Sequence, residues 1–160
     1  MSPKLMLEVQ SACEGLAVPN TELFEQWVSI ALRGKQDASV VIRLVDLAEG
    51  AELNETYRKK SGATNVLSFP FERPEGLPAS ELSEEVLGDL VICVPIVIEE
   101  AGAQNKPVLD HWAHLVIHGC FHLQGYDHVD DKQALEMEAL EVQLLAELDI
   151  KNPYIECISA

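Results

Sequence analysis

All five histidines of this chain lie between positions 111 and 128. Three of them, His118, His122 and His128, are spaced as His-x3-His-x5-His, and Gly125 precedes the last. On a helix, residues four apart lie on one face, so His118 and His122 can point at a common position. A glycine permits a sharp turn, which would return His128 to the same position. Three imidazoles and one open position are typical of a catalytic zinc site, although a His pair at this spacing also occurs as plain helix packing.

The remaining histidines continue the same helical stripe. His111 and His114 precede His118 at spacings that keep all of them on one side of a helix. Each is either a partner of the metal ligands or a packed side chain bonded to the backbone. Cys120 lies on the opposite side of this helix, and we expect it to fill the core. Asp127 is either an acceptor for a ligand's ring N–H or a turn residue.

The proposed ligand set favours chemistry on phosphate. Three neutral imidazoles leave the full charge on a divalent ion, and charge builds up on phosphate oxygens during phosphodiester cleavage. The spacing of the three histidines also matches a zinc protease motif, but that motif needs a glutamate directly after the first histidine. Gly119 occupies this position and cannot accept a proton.

Composition limits the class of protein. With 160 residues, 48% hydrophobic and 24% charged, the chain is expected to form one globular domain. No signal peptide is visible, and the longest apolar run, Leu90–Ile98, is too short to span a bilayer. The scattered cysteines are expected to be reduced thiols of a cytoplasmic protein; they are Cys13, Cys93, Cys120 and Cys157. The formal net charge of −16 opposes non-specific binding to polyanions.

Hydrophobic periodicity and turn residues predict an α+β fold in which helices pack on a mixed four-stranded sheet. The expected strands are residues 4–9, Ser39–Asp46, Asn65–Phe69 and Val86–Val94, with Pro70 marking an edge strand or a strand end. The expected helices are Thr21–Arg33, Ala48–Lys60, one starting near Pro95, Val108–Leu123 with the metal-binding histidines, and a last one from Asp130 to Leu148. Residues 72–84 are expected to form an exposed loop.

The last predicted helix has one apolar and one acidic side. Met137, Leu140, Leu144 and Leu148 are expected to face inward. The many acids between Asp130 and Asp149 are then interpreted as a solvated face.

Three segments together resemble a known family. The histidine segment reads His118-Gly119-x-x-His122-Leu123-x-Gly125-Tyr126-Asp127-His128, which is similar to the signature of the YbeY family of ribosomal RNA maturation factors. The central segment Leu53-Asn54-x-x-Tyr57-Arg58-x-Lys60, followed by Thr64–Phe71, and the strand segment Gly88–Cys93 resemble the same family.

This resemblance implies a single metal-dependent endoribonuclease domain over residues 1–160. It implies zinc on His118, His122 and His128, although a three-histidine set also accepts nickel. It implies that Arg58 is needed for RNA cleavage, where a guanidinium can stabilise charge on phosphate.

The resemblance further implies a cytoplasmic setting without a membrane. The substrate would be single-stranded ribosomal RNA, during late 3′-end maturation of 16S rRNA in the small subunit and in ribosome quality control. Small-subunit ribosomal proteins and an assembly GTPase would be partners.

Two other functions stay open at this point. One is an assembly factor that mainly binds ribosomal components and holds a structural metal, which the acidic surface favours because basic proteins would be natural partners. The other is a metalloprotease-like hydrolase, which the glycine at position 119 disfavours.

Overall fold

The structure is a computed structural model that describes residues 5–12, 18–32, 38–59, 62–70, 85–124 and 131–150. The elements follow in chain order as β1 (Leu5–Ser11), α1 (Thr21–Ala31), β2 (Ala38–Val45), α2 (Leu47–Arg58), β3 (Val66–Pro70), β4 (Glu85–Cys93), α3 (Val94–Ala103), α4 (Val108–Leu123) and α5 (Asp131–Glu147). The predicted α+β class is confirmed.

The four strands form one mixed sheet in the order β1-β2-β4-β3. The pairs β1–β2 and β2–β4 are parallel, whereas β3 runs antiparallel to β4 and forms an edge. The position of Pro70 at the end of this edge strand agrees with the expectation, since proline cannot donate a hydrogen bond to a second neighbour.

A bulge interrupts the pairing of β2 with β4. Ser39 pairs with Val86 and Val40 pairs with Gly88, so one residue of β4 has no counterpart on β2. Gly88 has φ of 136°, a backbone conformation that residues with a side chain rarely adopt. Beyond the bulge, successive side chains of β4 alternate between the two faces of the sheet.

The larger core fills the sheet face that α1 and α4 cover. Phe24 and Trp27 of α1 and Trp112 of α4 form edge-to-face aromatic contacts there. Leu90 and Ile92 point into this core from β4 and are fully buried. This layer fixes α4 against the centre of the sheet.

The other face carries a smaller core beneath α2. Val45, Leu67, Val91 and Cys93 are its buried members, and Leu53 of α2 packs against them. Helices α2 and α4 therefore lie on opposite faces of the sheet.

Local sequence signals account for the starts of α1 and α2. The side chains of Asn20 and Asp46 accept hydrogen bonds from the backbone N–H groups of Leu23 and Glu49 and so cap α1 and α2. Asp46, predicted as the end of a strand, is instead the cap of the next helix. The predicted loop 72–84 lies outside the described residues.

The α4 boundaries agree with those predicted, and α3 carries Pro95 in its first turn as expected. Cys93 and Cys120 are buried cysteines outside any disulfide, and burial raises the pKa of the Cys120 thiol to about 12. The expected core role of Cys120 is confirmed. Cys13 and Cys157 lie outside the described residues. None of the helices in the described part of the chain is long and apolar enough to cross a membrane.

Candidate metal centre

Two of the three predicted ligands meet on α4. The Nε2 atoms of His118 and His122 are 3.1 Å apart, and the two rings are nearly perpendicular with centroids 4.6 Å apart. Two nitrogens bound to one tetrahedral zinc ion at 2.0–2.1 Å would be separated by roughly 3.3 Å. The pair therefore fits a shared divalent ion with little movement.

Gly119 lets α4 lie close to the sheet at the point where the histidines are. A Cβ atom at this position would come within 2.7 Å of Leu90 Cδ2 and 3.4 Å of Val66 Cγ2. The hydroxyl of Ser68 on β3 also lies 3.4 Å from the Gly119 carbonyl oxygen, to which it donates. The residue after the first histidine thus faces the sheet, so a protease-type glutamate would find no space there.

Glu141 of α5 lies behind His118. Its side chain is fully buried, and its Oε1 is 2.5 Å from His118 Nδ1. A carboxylate at this distance accepts the Nδ1–H hydrogen bond and so places the lone pair of the ring on Nε2, the atom that would bind a cation. The carboxylate thus favours the tautomer that a metal ligand needs.

The interpretation of the acids of the last helix as a solvated face was wrong for Glu141. Met137, Leu144 and Leu145 are buried on the same side of α5, as Met137 and Leu144 were predicted to be. Glu141 lies one turn after Met137, within this apolar stripe. An acid inside an apolar stripe was the signal that would have identified it.

His114 extends the cluster by one turn. Its Nε2 lies 3.8 Å from Glu141 Oε1, and one donor atom from each of His114, His118 and Glu141 lies within 4.8 Å of the others. This cluster could hold a metal ion. Burial lowers the pKa of His114 to about 4, despite the nearby Glu141 carboxylate, which acts in the opposite direction. His114 is therefore neutral at physiological pH, as a metal ligand or a packed residue must be.

Two arrangements are thus possible around His118. In one, Glu141 and His114 bind the ion together with His118. In the other, Glu141 orients His118, which binds together with His122. The 2.5 Å separation of Glu141 Oε1 from His118 Nδ1 is a hydrogen-bond distance and is shorter than the spacing of roughly 3.3 Å between two ligands of one zinc ion. The geometry therefore favours the second arrangement.

His111 belongs to a separate network. Its Nε2 is 2.8 Å from Glu100 Oε1 on α3, and Asn65 Nδ2 donates to the same oxygen over 3.1 Å. Asn65 precedes β3, and its carbonyl accepts a hydrogen bond from the Cys93 backbone N–H. His111 thus ties α4 to α3 and to the start of the edge strand, which makes it a structural residue.

The remaining site predictions fall partly outside the described residues. The structure does not describe Gly125, Asp127 and His128, so the third ligand His128 and the turn at Gly125 stay predictions. Arg58 is the last residue of α2 and its side chain is not among those described.

Comparison with known proteins identifies the family. The model of the family described as Endoribonuclease YbeY matches residues 12–149 of the chain. A protein of Pseudomonas entomophila named Endoribonuclease YbeY is 54% identical over 95% of this chain and 94% of its own length. One of the same name from Colwellia psychrerythraea is 48% identical over 94% of this chain and 97% of its own length.

A solved structure has a similar fold. The solution structure of TM1509 from Thermotoga maritima superposes with a TM-score of 0.60 at 28% sequence identity, over 89% of each chain.

Proposed function

Since the chain belongs to the Endoribonuclease YbeY family, we propose that it is a metal-dependent endoribonuclease that hydrolyses phosphodiester bonds of single-stranded ribosomal RNA. The observation that carries this proposal is the pair of Nε2 atoms of His118 and His122, 3.1 Å apart, with the buried Glu141 carboxylate behind His118. The carboxylate lies on the ring nitrogen remote from His122, which directs the lone pair of His118 Nε2 at the second imidazole.

The proposed ligands of the ion are His118, His122 and His128, and the proposed ion is zinc. An ion bound there would supply positive charge for the phosphate oxygens and would acidify water. Glu141 holds the Nδ1–H proton of His118 and keeps its Nε2 directed at the site. The neutral set of imidazoles suits zinc or nickel better than magnesium, which prefers oxygen ligands.

Arg58 is proposed as the residue that stabilises negative charge on the scissile phosphate. Its guanidinium is a permanent cation whose N–H groups fit two phosphate oxygens. It ends α2 next to the exposed Lys59, in a protein with only 11 basic residues. Cations of this kind provide local attraction for RNA on an otherwise acidic molecule.

The proposed cellular role is late 3′-end maturation of 16S rRNA and ribosome quality control in the cytoplasm, by one catalytic domain over residues 1–160. Small-subunit ribosomal proteins and an assembly GTPase are the proposed partners. The net charge of −16 supports protein-guided delivery of the RNA, because it opposes tight binding to free RNA but attracts basic proteins.

The test is cleavage of a defined single-stranded RNA by the purified protein, with and without chelator, beside a peptide substrate. We expect RNA cleavage that the chelator abolishes and zinc restores, and no peptide cleavage. The Arg58→Ala protein should retain its metal and its Tm but lose cleavage. The Leu135→Ala protein, altered at an exposed position on α5, is the matched control.

Chelator-resistant cleavage would contradict the metal mechanism. Binding to small subunits without any cleavage, with the metal retained, would favour the assembly-factor alternative instead.

A further inference from the structure

Tyr57 is the one exposed aromatic residue in the described part of the chain. It is 62% exposed, although Leu53, one turn earlier on the same side of α2, is partly buried against the smaller core. At the end of α2 the tyrosine ring is therefore largely in solvent. An exposed aromatic ring at a fixed position has an unused face on which a planar group can stack.

Phe69 holds this ring in place. The two ring centroids are 5.4 Å apart with the planes at 76°, an edge-to-face contact between α2 and the edge strand β3. Phe69 itself packs against the smaller core. Tyr57 therefore packs on Phe69 with one side and is exposed to solvent on the other. Because this contact already restricts the ring, binding of a ligand there costs little further conformational entropy.

The edge strand connects Tyr57 with the histidine pair. Phe69 touches Tyr57, and the preceding residue, Ser68, donates to the carbonyl of Gly119, which directly follows His118. Neighbouring residues of one strand point to opposite faces, so Tyr57 and His118 lie on the two sides of β3. A flexible strand that crosses this edge could reach both.

The residues that follow Tyr57 in the sequence are basic, which favours a polyanion. Arg58, Lys59 and Lys60 follow it directly and make up three of the 11 basic residues in a chain of net charge −16. Lys59 is exposed and caps α2 in a left-handed conformation. An exposed aromatic residue beside cations is the combination that binds single-stranded nucleic acid through its bases and its phosphates.

We propose that Tyr57 is a stacking site for one unpaired nucleobase of the RNA, a few nucleotides away from the bond that is cut. This inference rests on the proposed function. Every base offers a flat face, so stacking on Tyr57 would not depend on the RNA sequence. Only an unpaired base can leave its neighbours to stack on a side chain, so the site would bind unpaired RNA in preference to a duplex. Single-strand preference would then reside in α2, on the side of β3 opposite to the histidines.

The test compares Tyr57→Phe, Tyr57→Leu and Tyr57→Ala with Leu47→Ala, which removes another exposed side chain of the same helix. Binding of a fluorescein-labelled 2′-O-methyl RNA to the metal-loaded full-length protein is measured by anisotropy at low salt. A gel verifies that the strand stays intact. A strand of equal length with abasic positions serves as the second probe, and Tm shows whether each variant is folded.

We expect Tyr57→Ala and Tyr57→Leu to weaken binding of the base-bearing strand about tenfold, within the range of a lost stacking contact. Tyr57→Phe and Leu47→Ala should bind as the unaltered protein does. The abasic strand should bind all five proteins equally.

Three results would overturn the stacking site. One is equal affinity of the Tyr57→Ala and unaltered proteins for the base-bearing strand. Another is Tyr57→Leu binding as tightly as Tyr57→Phe, which would show plain apolar contact. The third is unchanged RNA affinity with lost binding to small subunits, which would assign Tyr57 to a protein partner. Absence of cleavage in the separate RNA assay would reject the proposed function without changing these affinities.

Discussion

Two histidines of helix α4 each pair with a glutamate of a neighbouring helix, Glu100 of α3 and Glu141 of α5. His111 Nε2 lies 2.8 Å from Glu100, and His118 Nδ1 lies 2.5 Å from Glu141. The difference is in the second ring nitrogen. Nδ1 of His111 is buried and has no hydrogen-bond partner in the described residues, whereas Nε2 of His118 faces Nε2 of His122.

This difference shows when a carboxylate partner of a histidine indicates a metal site. A glutamate bound to a histidine does not by itself indicate a metal site, because the His111 pair joins three elements of the core. What distinguishes the His118 pair is that the carboxylate binds the ring nitrogen remote from a second imidazole. The carboxylate then fixes the proton on one nitrogen and leaves the lone pair of the other directed at a shared position.

The largest effect is expected from removing the imidazoles themselves. His118→Ala and His122→Ala should abolish stoichiometric metal binding, measured by elemental analysis of the purified protein. His111→Ala should keep its metal and lose about 1–3 kcal/mol of stability, because Glu100 loses its hydrogen bond to the buried imidazole.

His114→Ala separates the two possible ligand sets. Loss of metal in this protein with full occupancy in His122→Ala would show that the ion lies between His114, His118 and Glu141. We expect the opposite result, in which His114→Ala keeps its metal and His122→Ala loses it.

The two carboxylates provide the second comparison. Glu141→Gln should weaken metal binding by about 10–100-fold, because an amide is a weaker and uncharged acceptor for the His118 Nδ1–H. Glu100→Gln should leave metal affinity unchanged. Competition with a chromophoric chelator measures both affinities. Equal affinities in the two variants would show that Glu141 does not orient a ligand.

Gly119 tests how tightly α4 must approach the sheet. Gly119→Ala should destabilise the protein by about 1–3 kcal/mol, since the added methyl would overlap Leu90 in a packed core. Gly102→Ala, in the last turn of α3, meets no atom within 4 Å and should be neutral or stabilising by up to about 1 kcal/mol. Urea unfolding measures both. A stable Gly119→Ala protein would mean that Leu90 can move aside.

Much of the fold could be predicted from the sequence. Apolar periodicity and turn residues located the nine helices and strands of the described residues within a few positions, because each of them buries one face in the core. Asp46 was assigned to a strand because β-branched residues precede it, whereas its side chain caps α2. The order of the strands could not be deduced, since it depends on pairings between residues distant in the chain.

Of the predicted site residues, the two whose side chains the structure describes lie on one helix, and His128 and Arg58 stay predictions. The spacing of His118 and His122 sufficed to place them together, because helix geometry is local. Glu141 was missed because its role depends on how α5 packs on α4, and a count of acids suggested a solvated surface. His111 and His114 were left with two alternatives each. The structure assigns His111 to the Glu100 network, which no pattern in the sequence indicated.

The smallest expected effect concerns the acid sensitivity of the His111 network. Burial lowers the pKa of His111, and this effect outweighs the hydrogen bond that the ring donates to Glu100, which raises the pKa. The unfolded chain therefore binds a proton near pH 6.5 that the folded protein resists. The stability that the neutral ring contributes is full above pH 6.5 and is lost as the pH falls through the lower folded pKa.

His111→Gln should accordingly show a shallower loss of stability between pH 7 and pH 5 than the unaltered protein, even though it is less stable at neutral pH. The carboxylates and His114 titrate in both proteins, so their contributions largely cancel in the difference. Thermal melts at a series of pH values in the presence of chelator isolate this effect from metal release. Parallel curves for the two proteins would mean that Glu100 compensates fully for burial, and the two histidine–glutamate pairs would then differ only in their second ring nitrogen.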